Sequence, residues 1–221
     1  MRRVVRDNAL SITMFANFLL TWAGMSVAGH LSTNNDNAEH QQPRESYTEY
    51  IGSGAFAEAT FENWESEFLQ MAAYVLFTAF LLQRGSPESK QPEGDPADAD
   101  PREHRHEPGV PGPVRRGGLV LLVYEHSLSL ALASLFLLSW LGHALGGHAE
   151  FNQQQLEHGQ PVVSLWGFVT SSAFWFQSLQ NWQSEFLAVG ALAVLGIFLR
   201  ERGSPESKPV AAPHNTTGTS G

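Results

Sequence analysis

Two sets of polar residues recur beside apolar stretches of the chain. Glu67 follows Asn63 and Trp64, and Glu185 follows Asn181 and Trp182 at the same spacing; His30 and His148 each close an apolar run. Imidazole and carboxylate ligands suit zinc and other divalent metals. Inside a membrane such groups also pass protons. Both sets also have a structural reading: an acid in the first turn stabilises the helix dipole, and a terminal His reaches for the headgroups. Glu39-His40 and Glu157-His158 carry the same ambiguity in solvated loops. The candidate outer-face polar site is therefore His30, Asn63, Trp64, Glu67, His148, Asn181, Trp182 and Glu185. No metal, cofactor or catalytic residue is expected: the chain has no nucleophile elbow, phosphate loop, HExxH or dinucleotide fingerprint. Having no Cys, it also has no thiolate site. With 13 Lys+Arg against 22 Asp+Glu and a net charge of −9, it lacks a nucleic-acid footprint.

The elements that must position these residues are four apolar runs. Ala9 to Ala28 and Ser127 to Gly147 are each long enough to span a bilayer core as a helix. Phe68 to Leu82 and Phe186 to Leu199 are shorter, but each is preceded by Trp and Ser (Trp64, Ser66; Trp182, Ser184), which extend the helix into the headgroup zone. The pattern predicts four spanning helices at about residues 9–29, 64–83, 121–147 and 182–201. The first run also resembles a signal peptide, with Met1-Arg-Arg at its start and Ser26-Val27-Ala28 at its end.

An internal repeat argues against that alternative. A shift of 118 residues superposes Asn8–Lys90 on His126–Lys208 without a gap, with 34 of 83 positions identical. FLLTWAG meets FLLSWLG, EHQQP meets EHGQP, NWESEFL meets NWQSEFL, and RGSPESK closes both copies. Such a period marks duplication of one unit, here helix, polar loop, helix. The mid-chain copy of the first helix cannot be a signal peptide, so its counterpart is expected to be retained. The expected fold is all-α and integral to the membrane: four transmembrane helices as two parallel tandem repeats, with interfacial helical segments in the outer loops. Twelve of the 13 basic residues lie outside the two intra-repeat loops, which hold only Arg44. By the positive-inside rule both termini and the centre are cytoplasmic.

The expected domains are a first repeat over residues 1–90, a disordered cytoplasmic linker over 91–118, a second repeat over 119–208 and a disordered tail over 209–221. The linker is rich in Pro, Gly and charge, and His104 and His106 read as solvated spacers rather than a metal tract. Asn215-Thr216-Thr217 fits a glycosylation pattern that a cytoplasmic tail would not use. In the loops, Ser46 to Phe61 and Ser164 to Leu179 read as interfacial helices, interrupted in the first copy by Gly52 and Gly54. RGSPESK reads as a stop signal: Arg84 and Arg202 in the last helical turn, Gly85 and Gly203 at the C-cap, then Pro. Gly142-xxx-Gly146 and Gly24-xxx-Ala28 permit close backbone approach, which predicts central packing of both first helices.

MRRVVRDNALS, the EHxQP loops, ATFENWESEFLQM and RGSPESK together resemble a family of functionally uncharacterised bacterial integral membrane proteins, known only as a domain of unknown function. The resemblance leaves out the central linker and the tail. It implies residence in the bacterial inner membrane and supplies no activity. The function expected is that of a non-catalytic envelope or partner-binding membrane protein. The alternatives are a small transporter or channel with an outer His/Glu site, or a membrane-embedded metalloenzyme. Its partners would be the lipid bilayer and a membrane or envelope protein, with room for a homo-oligomer and none for nucleic acid.

Overall fold

The computed structural model describes residues 2–91 and 94–213. Residues 214–221, where the end of the tail and Asn215-Thr216-Thr217 fall, lie outside the described residues. Among the described residues the chain is helical and holds no strand. Its helices are α1 Arg2–Asp7, α2 Ala9–Glu39, α3 Tyr47–Ile51, α4 Gly54–Phe80, α5 Gly112–Arg116, α6 Gly118–Glu125, α7 Ser127–Glu157, α8 Leu165–Val169 and α9 Ser172–Phe198. A short 3-10 turn covers Pro96–Asp98 in the linker. The bounds of α7, α8 and α9 are those of α2, α3 and α4 displaced by 118 residues.

Among the described residues three helices, rather than the four expected, are long and apolar enough to cross a membrane: α2, α7 and α9. α4 has the same length as α9, 27 residues. It falls short on composition. Glu58, Glu62, Glu65 and Glu67 crowd its N-terminal half, where α9 carries Phe176, Gln180, Gln183 and Glu185. An ionised side chain at the bilayer centre costs on the order of 3 kcal/mol, so four carboxylates outweigh the apolar half that follows. In the other three helices the apolar windows stay uncovered by protein, with only 6 to 17 % of each window buried. An all-round apolar helix of that kind suits lipid, not a water-facing surface.

The helices also outrun the apolar runs. α2 continues through the polar HLSTNNDNAE to Glu39, and α7 through HAEFNQQQLE to Glu157. α4 and α9 begin ten residues before their expected starts, at Gly54 and Ser172. Helical hydrogen bonding does not end where lipid ends. At about 1.5 Å per residue, 31 residues reach about 46 Å, well beyond a core about 30 Å thick. The helices α4 and α9 close early, at Phe80 and Phe198, so Arg84 and Arg202 lie beyond the last turn instead of within it.

The chain divides into two compact units, and the boundaries fall inside α4, inside α7 and at the start of α9. The first joins the residues up to Phe61 to Gly142–Ser171. Here glycines let backbones meet. A Cβ on Gly54 would lie 2.6 Å from the Glu150 nitrogen, one on Gly146 2.7 Å from the Glu58 nitrogen, and one on Gly142 2.5 Å from the Phe61 ring. Gly24 has open space, so the close approach belongs to α7 and not to the Gly24-xxx-Ala28 pair. The short helices follow from their caps. Ser46 accepts from the Glu49 N–H while Glu49 accepts from the Ser46 N–H, a capping box. Ser164 caps α8 through the Gly167 N–H alone, because no Glu stands at that place. α3 and α4 are separate helices, parted at Gly52 and Ser53. The second unit holds Glu62–Leu141 and the residues from Ser172 onward. Leu121 and Phe174 are fully buried there.

Candidate functional site

His30 and His148 fall in the first unit, and the other six candidate residues in the second. In the first unit each His clamps the loop that follows its helix. His30 Nε2 lies 2.9 Å from the Glu45 carbonyl, and Asn34 Nδ2 donates to the same oxygen at 3.0 Å. Asn34 Oδ1 accepts from the Glu45 N–H at 2.8 Å, which fixes the amide's orientation. The carbonyl uses both lone pairs if His30 carries its proton on Nε2. The second copy repeats this around Val163: His148 Nε2 at 2.9 Å, Asn152 Nδ2 at 3.0 Å and Asn152 Oδ1 at 2.8 Å. A His and an Asn at i and i+4 share one helical face, so together they hold the N–H and C=O of one residue as a β-strand partner would. Because they read backbone, the residue between can change from Glu45 to Val163.

The Gly before each His has its own task. A Cβ on Gly29 would collide with the Tyr50 hydroxyl, and one on Gly147 would lie 2.9 Å from Phe168. Tyr50 and Phe168, from α3 and α8, are buried on those glycines. The imidazole of His30 meets Tyr47 edge-on at 5.6 Å, and that of His148 lies 6.3 Å from Phe168. Burial, then the charges of Glu150 and Glu45, raise the Tyr50 phenol above its ordinary pKa.

In the second unit Asn181 and Trp182 meet acids on α4. Asn181 Nδ2 donates to Glu62 Oε1 at 2.5 Å, and Trp182 Nε1 donates to Glu65 Oε1 at 3.1 Å. Glu65 is wholly buried. Gln70 Nε2 donates to the Glu185 backbone carbonyl at 3.2 Å. Trp182 sits in an aromatic cluster with Trp175 at 6.1 Å and Phe136 at 6.3 Å. Glu67 and Asn63 are exposed, and Trp64 and Glu185 half-buried. Among the described residues no group of three or more His, Asp or Glu is placed to hold a metal ion.

A family model described as a domain of unknown function, DUF6766, matches residues 1–219. The chain belongs to that family. The match takes in the linker and most of the tail, which the motif resemblance had left out. No curated protein and no solved structure matches the chain.

In this DUF6766 chain a further contact joins the two RGSPESK turns within the second unit. Pro87 rests on Gly196, where a Cβ would lie 3.1 Å from its ring. Tyr74 donates its hydroxyl to Glu88. The adjoining Glu88 carboxyl, by hydrogen bonding first and then by its charge, and burial after that raise the Glu206 carboxyl above the usual carboxylate range. Within each turn a serine accepts from the segment's first amide: Ser89 from Gln83 at 2.8 Å and Ser207 from Glu201 at 2.9 Å.

The residues that sequence reasoning missed are Asn34 and Asn152, which complete the clamp, and Glu62 and Glu65, which receive Asn181 and Trp182. The asparagines carried a usable signal. Each stands four residues after its His in both copies. Glu62 and Glu65 carried none, because both are Gln in the second copy.

Proposed function

We propose that the chain is a multi-pass protein of the bacterial cytoplasmic membrane that binds at its outer face and catalyses no reaction. One observation carries this reading. In both copies the imidazole Nε2 lies 2.9 Å from a loop carbonyl and so belongs to the loop clamp. The candidate groups thereby serve to build a firm outer platform of short aromatic helices. The partners that fit are the lipid around the apolar helices and a membrane or envelope protein on the platform, with self-association as a further arrangement.

The basic residues set the orientation, with termini and linker cytoplasmic and the two copies running in parallel. That orientation needs the chain to return between α2 and the linker. α4 is too acidic to do so against lipid alone. Its return leg is shielded instead, since Glu62 and Glu65 are taken up by Asn181 and Trp182.

A small transporter is the second reading, favoured by one observation: the wholly buried Glu65. Ionisable groups buried among membrane helices commonly mark a solute or proton path. Proton or ion flux into liposomes, lost in Glu65→Gln, would establish it.

The test of the main reading uses the absence of native Cys. Single Cys residues at Gln42 and Gln160 are expected to react with an impermeant maleimide in intact cells. Those at Glu103 and Val210 should react only after lysis. Labelling that places Gln42 and Gln160 on opposite sides overturns the topology.

A further inference from the structure

Two of the polar side chains on α2 are satisfied within the helix itself. Thr21 Oγ1 donates to the Asn17 carbonyl at 2.9 Å, and Ser26 Oγ donates to the Ala23 carbonyl at 2.8 Å. Asn17 is different. It stands near the middle of the apolar run Ala9 to Ala28, and its side-chain amide forms no hydrogen bond among the described residues. It is exposed, on a helix whose apolar window is only 6 % buried. A primary amide holds two donors and an acceptor oxygen. Hydrocarbon offers none of them a partner, so bonds left unmade at that depth cost free energy.

The helix itself does not require the amide. The equivalent place in α7 is Leu135, and α7 has the bounds of α2 displaced by 118 residues. An amide that leucine can replace, set at mid-depth and unbonded within its own chain, calls for a partner outside the chain.

The residues around Asn17 indicate which partner. Leu10, Met14, Asn17 and Thr21 follow one another at spacings of four, three and four, and all are exposed. That is the a/d spacing of a helix-pairing seam. The seam is uncharged, which suits a second helix and not an ionic ligand. An amide is also its own complement, since the oxygen of one accepts from the nitrogen of another. Copies of one chain enter the membrane in the same direction. In a two-fold pair their α2 helices therefore run parallel, and each Asn17 meets its equivalent at the same depth. A single Asn in such a seam fixes register and the number of strands.

We propose that this face of α2 binds a second copy of the chain, through a reciprocal pair of Asn17 amides with Leu10, Met14 and Thr21 packed beside it. This deepens the membrane-protein reading by assigning self-association to one helix face, and it rests on α2 spanning lipid.

The test is oxidative cross-linking of the full-length chain in native membranes, where the absence of native Cys makes single sites unambiguous. Met14→Cys is expected to give a disulfide-linked dimer. Leu19→Cys, exposed on the opposite side of α2, should give none. Asn17→Leu added to Met14→Cys should deplete the dimer, and Asn17→Gln, which keeps an amide, should retain it. Energy transfer between labelled copies diluted in liposomes should show association weakened about tenfold in Asn17→Leu. Circular dichroism serves as the folding control, with Asn17→Leu keeping the helical content of the wild type because Leu135 occupies the equivalent place. No dimer from Met14→Cys, equal cross-linking from Leu19→Cys, undiminished association in Asn17→Leu, or cross-linking of Met14→Cys to a different protein would each overturn the proposal. A monomeric chain with Gln42 and Gln160 labelled on one side sinks the pairing alone. Labelling of those two on opposite sides sinks the topology, and the cross-link is still read by itself.

Discussion

Asn34 holds Glu45 by its backbone, accepting from the N–H at 2.8 Å and donating to the carbonyl at 3.0 Å. The side-chain amide thus stands in for a neighbouring peptide, and the loop returns along a fixed path toward α3. Removing such a partner strands the Glu45 N–H and leaves the carbonyl to His30 alone, and an unsatisfied buried group costs about 1–3 kcal/mol. Asn34→Ala and Asn152→Ala are therefore expected to lower the melting temperature in detergent by several degrees. Asn34→Asp should do the same, because it keeps the acceptor and loses the donor to the carbonyl. A thermal melt followed by circular dichroism checks all three.

The glycines divide into those that are needed and those that are not. Gly146→Ala places a methyl 2.7 Å from a backbone nitrogen, and Gly54→Ala places one 2.6 Å from another. Neither neighbour can rotate away, so each substitution should cost about 1–3 kcal/mol, as overpacking does. Gly24→Ala meets nothing within 4 Å in mid-helix. It should hold or raise stability, by up to about 1 kcal/mol from helix propensity. Comparative melts of the three variants measure this directly.

Trp182→Phe keeps an aromatic ring in the cluster while removing the bond to Glu65 Oε1 and part of the indole's packing on Trp175 and Phe136. A hydrogen bond to a charged group is worth about 1.5–3 kcal/mol. The variant is expected to lose stability on that scale. Glu65→Gln combined with Trp182→Phe should lose less than the two single changes summed. A double-mutant cycle on melting free energies gives the coupling, and additivity would show the bond to be idle.

The paired turns respond to pH. Glu206 titrates above the ordinary carboxylate range because of Glu88, which also receives the Tyr74 hydroxyl. A carboxyl whose folded pKa is raised contributes stability below its unfolded value and loses it as pH rises through the raised one. The basic groups nearby do not reverse this sign. Lys90 is paired with Asp98 at 2.6 Å, and Lys208 is held below its ordinary pKa by burial and by Arg200. Protection of the Ser86 and Ser204 amides from hydrogen exchange should therefore fall as pH rises from about 4 toward 8, after correction for intrinsic exchange. Glu206→Gln cannot ionise and should flatten the profile.

Much of the architecture was legible along the chain. The 118-residue period of the motifs coincides with the offset of the helix bounds, because each copy carries the same capping serine, the same Gly-His pair and the same RGSPESK turn. Apolar runs located α2, α7 and α9, since a run of that length has few other uses. Helix ends were less legible. Polar residues such as those of HLSTNNDNAE sustain a solvated helix as readily as a loop, and hydropathy does not tell the two apart.

The sequence by itself determined a duplicated helical chain with basic residues gathered outside its loops. Only tertiary structure decided which polar groups are spent and which are spare. His30 and Glu45 lie 15 residues apart, and nothing in their spacing says that one binds the other's backbone while a carboxylate oxygen is left buried and unpaired. Trp182 and Glu65 lie 117 residues apart. The pairing of such groups depends on where helices cross, and crossings are set by close packing at a few glycines, which a linear pattern of polar and apolar residues does not encode.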